Sequence, residues 1–279
     1  MIISINGEKV DMAPDTEKTI GQVLAGIEAW LDGPNPHFHG KLRLSGMEID
    51  GQAVNADSLE SVFDREIASI KTLNVKVKST VELYAEALLY AHNSLVEFEN
   101  LDFAQKQGYD KIWEAGPAAA LIGEQSPVLC NEIKKTLQGE GLNTQALALL
   151  IDERLREIEN PAEELSRIGT LVTACVSRLE DLPLDMQTGK DKRASETVQL
   201  FSSIAEKIFR IYFLLDTQGL LADEIKNEIK IEGFSEALKE MLSAYENKDT
   251  VLVGDMAEYE LAPRLRDLYA ALSAPNGAI

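Results

Sequence analysis

The sequence Gln187-Thr188-Gly189-Lys190-Asp191 sets a glycine directly before a lysine, the pair with which a phosphate loop wraps and neutralises a nucleotide. The rest of that pattern is missing. Leu184 occupies the first required glycine position, and Asp191 stands where a Ser or Thr hydroxyl would hold magnesium, so a solvated turn is expected. His37 and His39 could offer two imidazoles to a metal, but a site needs three or four ligands and the chain has one further histidine, His92. His92 falls on an apolar helical stripe, where a hydrogen-bonded edge histidine is the expectation. Asp255, Glu258 and Glu260 surround Tyr259, and the three-residue step from Asp255 to Glu258 could share a helix face, as paired carboxylates for acid–base work require. A solvated helix turn explains them as well. Cys130 and Cys175 lack metal or redox spacing and read as reduced, buried thiols. No catalytic residue, cofactor or metal site is therefore expected.

The remaining chemistry-bearing group is basic. Leu42 and Leu44 alternate with Lys41 and Arg43, and Leu73, Val75 and Val77 alternate with Lys76 and Lys78, which predicts two strands with one buried face each. Lys41, Arg43, Lys76 and Lys78 then share the outer face as a basic stripe on an acidic protein. They are the candidate partner-binding residues, for the protein's own helices or for an acidic partner; an ordinary charged sheet face is the plainer alternative.

The elements that carry this stripe begin at the N-terminus. Asn6-Gly7 between apolar runs predicts a β-hairpin, because both central residues of a type I′ turn need positive φ. Thr19 caps a helix to about Leu31 with apolar positions at Ile20, Val23, Leu24 and Ile27, stopped by Asp32-Gly33-Pro34. A strand at Leu42–Leu44, a short extended segment around Asp50-Gly51, a helical turn over Ser58–Phe63 and the Leu73–Lys78 strand complete the order. This order resembles the ubiquitin-like β-grasp fold over residues 1–78, and the stretch Leu42-Arg43-Leu44-Ser45-Gly46-Met47-Glu48-Ile49-Asp50-Gly51 is similar to ubiquitin's strand, glycine and acidic-glycine turn. The chain continues into a helix after Lys78 without a di-glycine tail, and Arg43 and Lys76 replace ubiquitin's aliphatic patch. The resemblance therefore implies neither conjugation nor binding through that patch.

Ser79 with Glu82 makes a capping box, and helices are expected throughout residues 79–279. The clearest pair is an antiparallel hairpin. Asn160-Pro161 opens a helix with Leu165, Ile168, Val172, Cys175, Leu179 and Leu182 in three-four spacing; Ala194, Val198, Phe201, Ala205, Ile208 and Tyr212 repeat it. Pro183 and Gly189 are expected to end the first helix and form a loop to Asp191. Further helices are expected over Leu220–Ile231 and Phe234–Tyr245, divided near Gly233, and over Thr250–Leu272 with a kink or restart at Pro263.

Composition sets the limits. The formal charge is −20, with 12 acidic and 8 basic residues in 1–78 and the remaining excess beyond it, which argues against nucleic acid and anionic membranes. No apolar run approaches the length of a membrane span, and the expected location is the cytoplasm. The expected fold class is α+β: a ubiquitin-like β-grasp domain (1–78) followed by an acidic α-helical bundle domain (79–279). The expected function is a non-catalytic adaptor or scaffold with a protein partner. The alternatives are a ligand-binding protein or enzyme with a site assembled between helices, and a structural helical homo-oligomer.

Overall fold

The computed structural model describes residues 1–11, 14, 16–33, 41–55, 59–229 and 231–274. The chain divides into two compact units, Met1–Ile151 and Asp152–Ile279. His37 and His39 lie outside the described residues.

The first unit opens with β1 (Ile2–Ile5), β2 (Glu8–Lys9), α1 (Ile20–Leu31), β3 (Leu42–Ile49), β4 (Gln52–Ala53), α2 (Leu59–Phe63) and β5 (Thr72–Ser79). The sheet runs β2-β1-β5-β3-β4, with β1 parallel to β5 and the other pairs antiparallel. Asn6 and Gly7 turn the first hairpin at φ 51° and 86°, as their residue types demand. Asn6 also ties the hairpin to the middle of the sheet: its amide donates to the Val77 carbonyl at 3.1 Å and accepts from the Val77 N–H at 2.9 Å. Asp50 and Gly51 form the second positive-φ turn, and the Asp50 carboxylate accepts from Thr72 and Lys71 N–H groups, both at 2.9 Å, which hold its pKa down. One face of α1 (Ile20, Val23, Ile27) packs with Ile3, Leu73 and Val75 into one apolar core. The α+β layout stands as the strand and helix order implied.

Still within the first unit, α3 (Thr80–Asn100) follows β5 directly through the Ser79–Glu82 capping box, then come α4 (Phe103–Lys106), α5 (Tyr109–Glu114), α6 (Pro117–Gln125), α7 (Pro127–Leu137) and the start of α8 (Thr144–Glu159). The main neighbour of α3 is α6. Ring contacts fasten α5 to α3: Phe98 meets Tyr109 at 5.4 Å, and Tyr90 stacks on Trp113 at 6.3 Å.

The second unit is built on α9 (Pro161–Gln187) and α10 (Asp191–Thr217), joined by α11 (Asp223–Glu228), α12 (Ile231–Glu246), α13 (Thr250–Asp255) and α14 (Ala262–Ser273). Both predicted stripes are in its core, from Leu165 to Leu182 on α9 and from Ala194 to Leu215 on α10. Two local expectations are corrected. Pro183 does not end α9, which runs on to Gln187, because Leu182 and Asp185 are buried and α13 packs over this turn. Gly254 makes room for the ring: a Cβ there would lie 3.1 Å from Pro183 Cα and Cβ. Gly233 lies inside α12, and the break falls earlier, at extended Ile229.

At Pro263 the helix restarts, with the proline in the first turn of α14; ahead of it a π-helical turn (Met256–Leu261) joins α13 to α14, and the Ala262 N–H bonds the Ala257 carbonyl five residues back. The reason lies in spacing. Val253, Ala257, Leu261 and Leu265 are all buried and stand four apart; in an α-helix each such step overshoots a full turn by about 40°, drifting the stripe off its face within three steps. The wider π turn absorbs the drift.

Where α14 crosses α9, Tyr269 donates its hydroxyl to the Leu165 carbonyl at 3.2 Å, and a Cβ on Gly169 would lie 2.5 Å from that hydroxyl. Gly169→Val is therefore expected to displace Tyr269 and destabilise the second unit by about 1–3 kcal/mol. Tyr269→Phe in the same chain, by removing the clashing oxygen, should recover part of the loss in urea unfolding; an unchanged midpoint in Gly169→Val would refute the close approach.

Candidate functional site

The basic stripe forms as the strand pattern predicts, on directly paired strands: Arg43 lies opposite Lys78, and Lys76 opposite Gly46. Its charges are met within the first unit. Arg43 Nη2 is 2.6 Å from Glu124 Oε1 on α6, Lys78 Nζ is 2.5 Å from Glu86 Oε1 on α3, and Lys76 Nζ is 2.7 Å from Glu48 Oε1 on the neighbouring strand. The Lys76 and Asn74 hydrogen bonds hold the Glu48 carboxyl below its usual range. Lys41 sits exposed ahead of β3, where its carbonyl accepts from the Thr80 N–H at 2.9 Å. Like charges at Arg43 and Lys78 thus stand side by side because α3 and α6 each bring a carboxylate to them.

A larger cluster lies in the second unit, where α8, α9 and α10 meet. Lys207 Nζ donates to Glu153 Oε1 at 2.8 Å and Glu164 Oε2 at 2.7 Å, and lies 3.7 Å from Glu157 Oε1. Arg210 grips Glu157 with two bonds, Nε to Oε2 at 3.0 Å and Nη2 to Oε1 at 2.9 Å. Arg154 and Arg210 share Glu206 Oε1, at 3.2 and 2.8 Å, and Arg167 binds Glu164 at 2.9 Å. Glu157, Glu164 and Arg154 are buried. Burial pushes the Glu157 carboxyl up to about 7, against the pull of Arg154 and Lys207 and with a further push from Glu153 and Glu164. For Lys207, burial pulls the pKa down, but the bonds to Glu153 and Glu164 win and hold it above its ordinary value. Such an arrangement clamps three helices together with nearly all its polar capacity in use. Sequence reasoning missed it, since nothing in the spacing of Glu153, Arg154 and Glu157 sets them apart on an acidic protein; the available signal was the complementary run Glu206, Lys207 and Arg210 on α10.

The other sequence candidates are dispersed. Gln187–Asp191 is the turn between α9 and α10, with Gly189 at φ 71°; Lys190 Nζ bonds buried Asp185 at 3.2 Å, and Arg193 bridges Asp181 and Asp185 at 3.0 Å each. Its lysine serves the hairpin. Asp255, Glu258 and Glu260 fall on or beside the π turn, where Glu260 pairs with Arg264 and the Glu258 hydrogen bond raises the Tyr259 pKa. His92 is half-buried on α3. Cys130 and Cys175 are unbridged, and burial pushes the Cys175 thiol up to about 11. Among the described residues no three His, Cys, Asp or Glu side chains are grouped to hold a metal ion, and no helix is long and apolar enough to cross a membrane.

The first unit also carries large apolar side chains in water. Leu89, Tyr90 and Val96 on α3 are about half exposed, Ile112 on α5 is 70% exposed and Phe103 on α4 is 81% exposed. The Tyr90–Trp113 and Phe98–Tyr109 contacts hold α3 and α5 side by side; Glu97 on α3 is exposed and Asp110 on α5 is half-buried.

Residues 1–79 match the family model described as TP0873 N-terminal domain, a span that ends with β5, and residues 163–271 match the one described as a domain of unknown function, DUF8042, which runs from the first turn of α9 into α14. The chain is 24% identical over 277 residues to an uncharacterized protein of Treponema pallidum (strain Nichols), covering 96% of this chain and 94% of that protein. No solved structure matches.

Proposed function

We propose that the protein is a non-catalytic adaptor or scaffold acting through protein–protein contact, with the α3–α5 surface as its contact face. The observation that carries this is the exposure of Leu89, Tyr90 and Val96 on α3, Phe103 on α4 and Ile112 on α5, with α3 and α5 fastened to each other. Large aromatic and aliphatic side chains exposed on consecutive helices favour a covering partner. In this reading the N-terminal unit begins with a ubiquitin-like β-grasp module, supported by the β2-β1-β5-β3-β4 order and the parallel β1–β5 pair. Arg43 and Lys78 serve it internally by holding α6 and α3 to the sheet, and the setting is the reducing cytoplasm, in keeping with two unbridged cysteines.

The test is photo-crosslinking from positions 103 and 112 of the full chain in native cell extract, alongside capture by the Phe103→Ser, Ile112→Ser double variant and by Arg43→Glu. A defined partner crosslinked from both positions, and captured at least about tenfold less by the double variant while Arg43→Glu keeps it, is the expected result. Because both serine positions are exposed, thermal unfolding should be unchanged. Capture undiminished in the double variant, or no crosslink from either position, overturns the assignment.

A further inference from the structure

A different surface of the first unit has a backbone edge on which no strand lies among the described residues. β5 pairs with β3 along its length, but β4 meets β3 only at Glu48 and Ile49. The hydrogen bond from Thr80 N–H to the Lys41 carbonyl at 2.9 Å fixes the phase of the ladder: Arg43 turns its peptide groups to β5, and Leu42 and Leu44 turn theirs to the other side. Among the described residues no strand pairs with Leu42–Leu44 from that side. The register shift between Leu44 and Gly46 ends this short straight edge, and the Val54 N–H takes up the Met47 carbonyl at 3.0 Å beyond it.

An apolar groove of about 540 Å³ runs beside the same edge between β3 and α1, with Leu24, Leu44, Met47, Val54 and Phe63 on its walls and Glu28 at its rim. Glu28 is the one ionisable side chain among the described residues that line it, and the whole chain carries −20. Unpaired peptide groups select an extended backbone, alternate side chains of that backbone reach an adjoining apolar groove, and a lone carboxylate on an acidic protein selects a cation.

We propose that the β3 edge and the β3–α1 groove bind an extended segment of a partner protein, with aliphatic residues at alternate positions and a basic residue placed to meet Glu28. The segment adds as a further strand next to Leu42–Leu44, and Met47 gives the groove floor an adaptable side chain. This site is independent of the α3–α5 surface.

The probe is a fluorescein-labelled peptide of alternating valine and threonine with a lysine at each end, titrated into the full chain at low salt, with amide hydrogen exchange followed in parallel. Saturable binding should slow exchange at Leu42 and Leu44 by about tenfold, and Glu28→Lys, an exposed substitution, should weaken binding by about fivefold. The same peptide with alternate amides N-methylated should not bind, since its side chains remain but its edge donors are gone. Equal binding of the N-methylated peptide, or unchanged exchange at Leu42 and Leu44, overturns the proposal. So does protection of those amides by the protein alone together with a dimer mass, which would assign the edge to a second copy of this chain.

Discussion

Replacing Lys207 with methionine is expected to destabilise the second unit by about 3–5 kcal/mol, the usual consequence of removing one partner from a buried ion cluster. The ammonium lies between Glu153 at 2.8 Å and Glu164 at 2.7 Å, with Glu157 at 3.7 Å, and only 12% of the side chain is exposed. Methionine keeps the length and the apolar stem, so the loss reports charge and hydrogen bonding. What remains is a group of carboxylates short of a cation in a site that water reaches poorly. Urea unfolding of the full chain, followed by a probe in the second unit, measures the change. A second substitution, Glu164→Gln, should return part of the stability because it removes one of the stranded charges, and that non-additivity distinguishes a coupled cluster from independent surface pairs. A loss below about 1 kcal/mol would place Lys207 with ordinary exposed ion pairs.

The pH dependence of stability should carry the signature of Glu157. Its carboxyl is pushed up to about 7 in the folded chain from an ordinary 4.5. Below pH 4.5 it is protonated in both states and contributes no slope. Between about 4.5 and 7 the folded state keeps a proton that the unfolded chain has released, so this group makes stability fall as pH rises, by at most about 1.4 kcal/mol per pH unit; above 7 its contribution is flat. Other carboxylates have their own slopes, so the measurement is the difference between the natural chain and Glu157→Gln from pH 5 to 8. The natural chain should lose ground to the glutamine variant up to about pH 7. A constant difference would mean that the two bonds from Arg210 keep Glu157 ionised throughout.

How far the sequence carries depends on whether the determining interaction is local. The Asn6-Gly7 and Asp50-Gly51 turns were legible because positive φ is a property of those residues, and the α9–α10 hairpin because Leu165 to Leu182 repeat the helical period. Pro183 was misread for the same reason: taken locally a proline ends a helix, at a cost of about 3 kcal/mol, and only the packing of α13, with Gly254 against the ring, offsets it. The stripe of Lys41, Arg43, Lys76 and Lys78 could be placed on one face from alternation, but Glu86 and Glu124 as partners of Lys78 and Arg43 come from helices whose approach no spacing encodes. The α8–α10 ion cluster was hidden further still. Burial of Glu157 and Arg154 depends on three helices meeting, and in sequence these are charged residues like any others on an acidic protein.

The π turn between α13 and α14 also bears on how this chain can change length over generations. In most helices a residue gained or lost turns everything beyond it by about 100° and buries the wrong face. Here Val253, Ala257, Leu261 and Leu265 are already set for one residue more than a regular helix would hold. Loss of a codon at exposed Tyr259 would restore a regular helix in which Val253 and Leu265 stand about three turns apart, so Leu265, Leu268 and Leu272 would keep the face they now share with α9. This turn can therefore lose one residue without losing its phase, which a regular helix cannot.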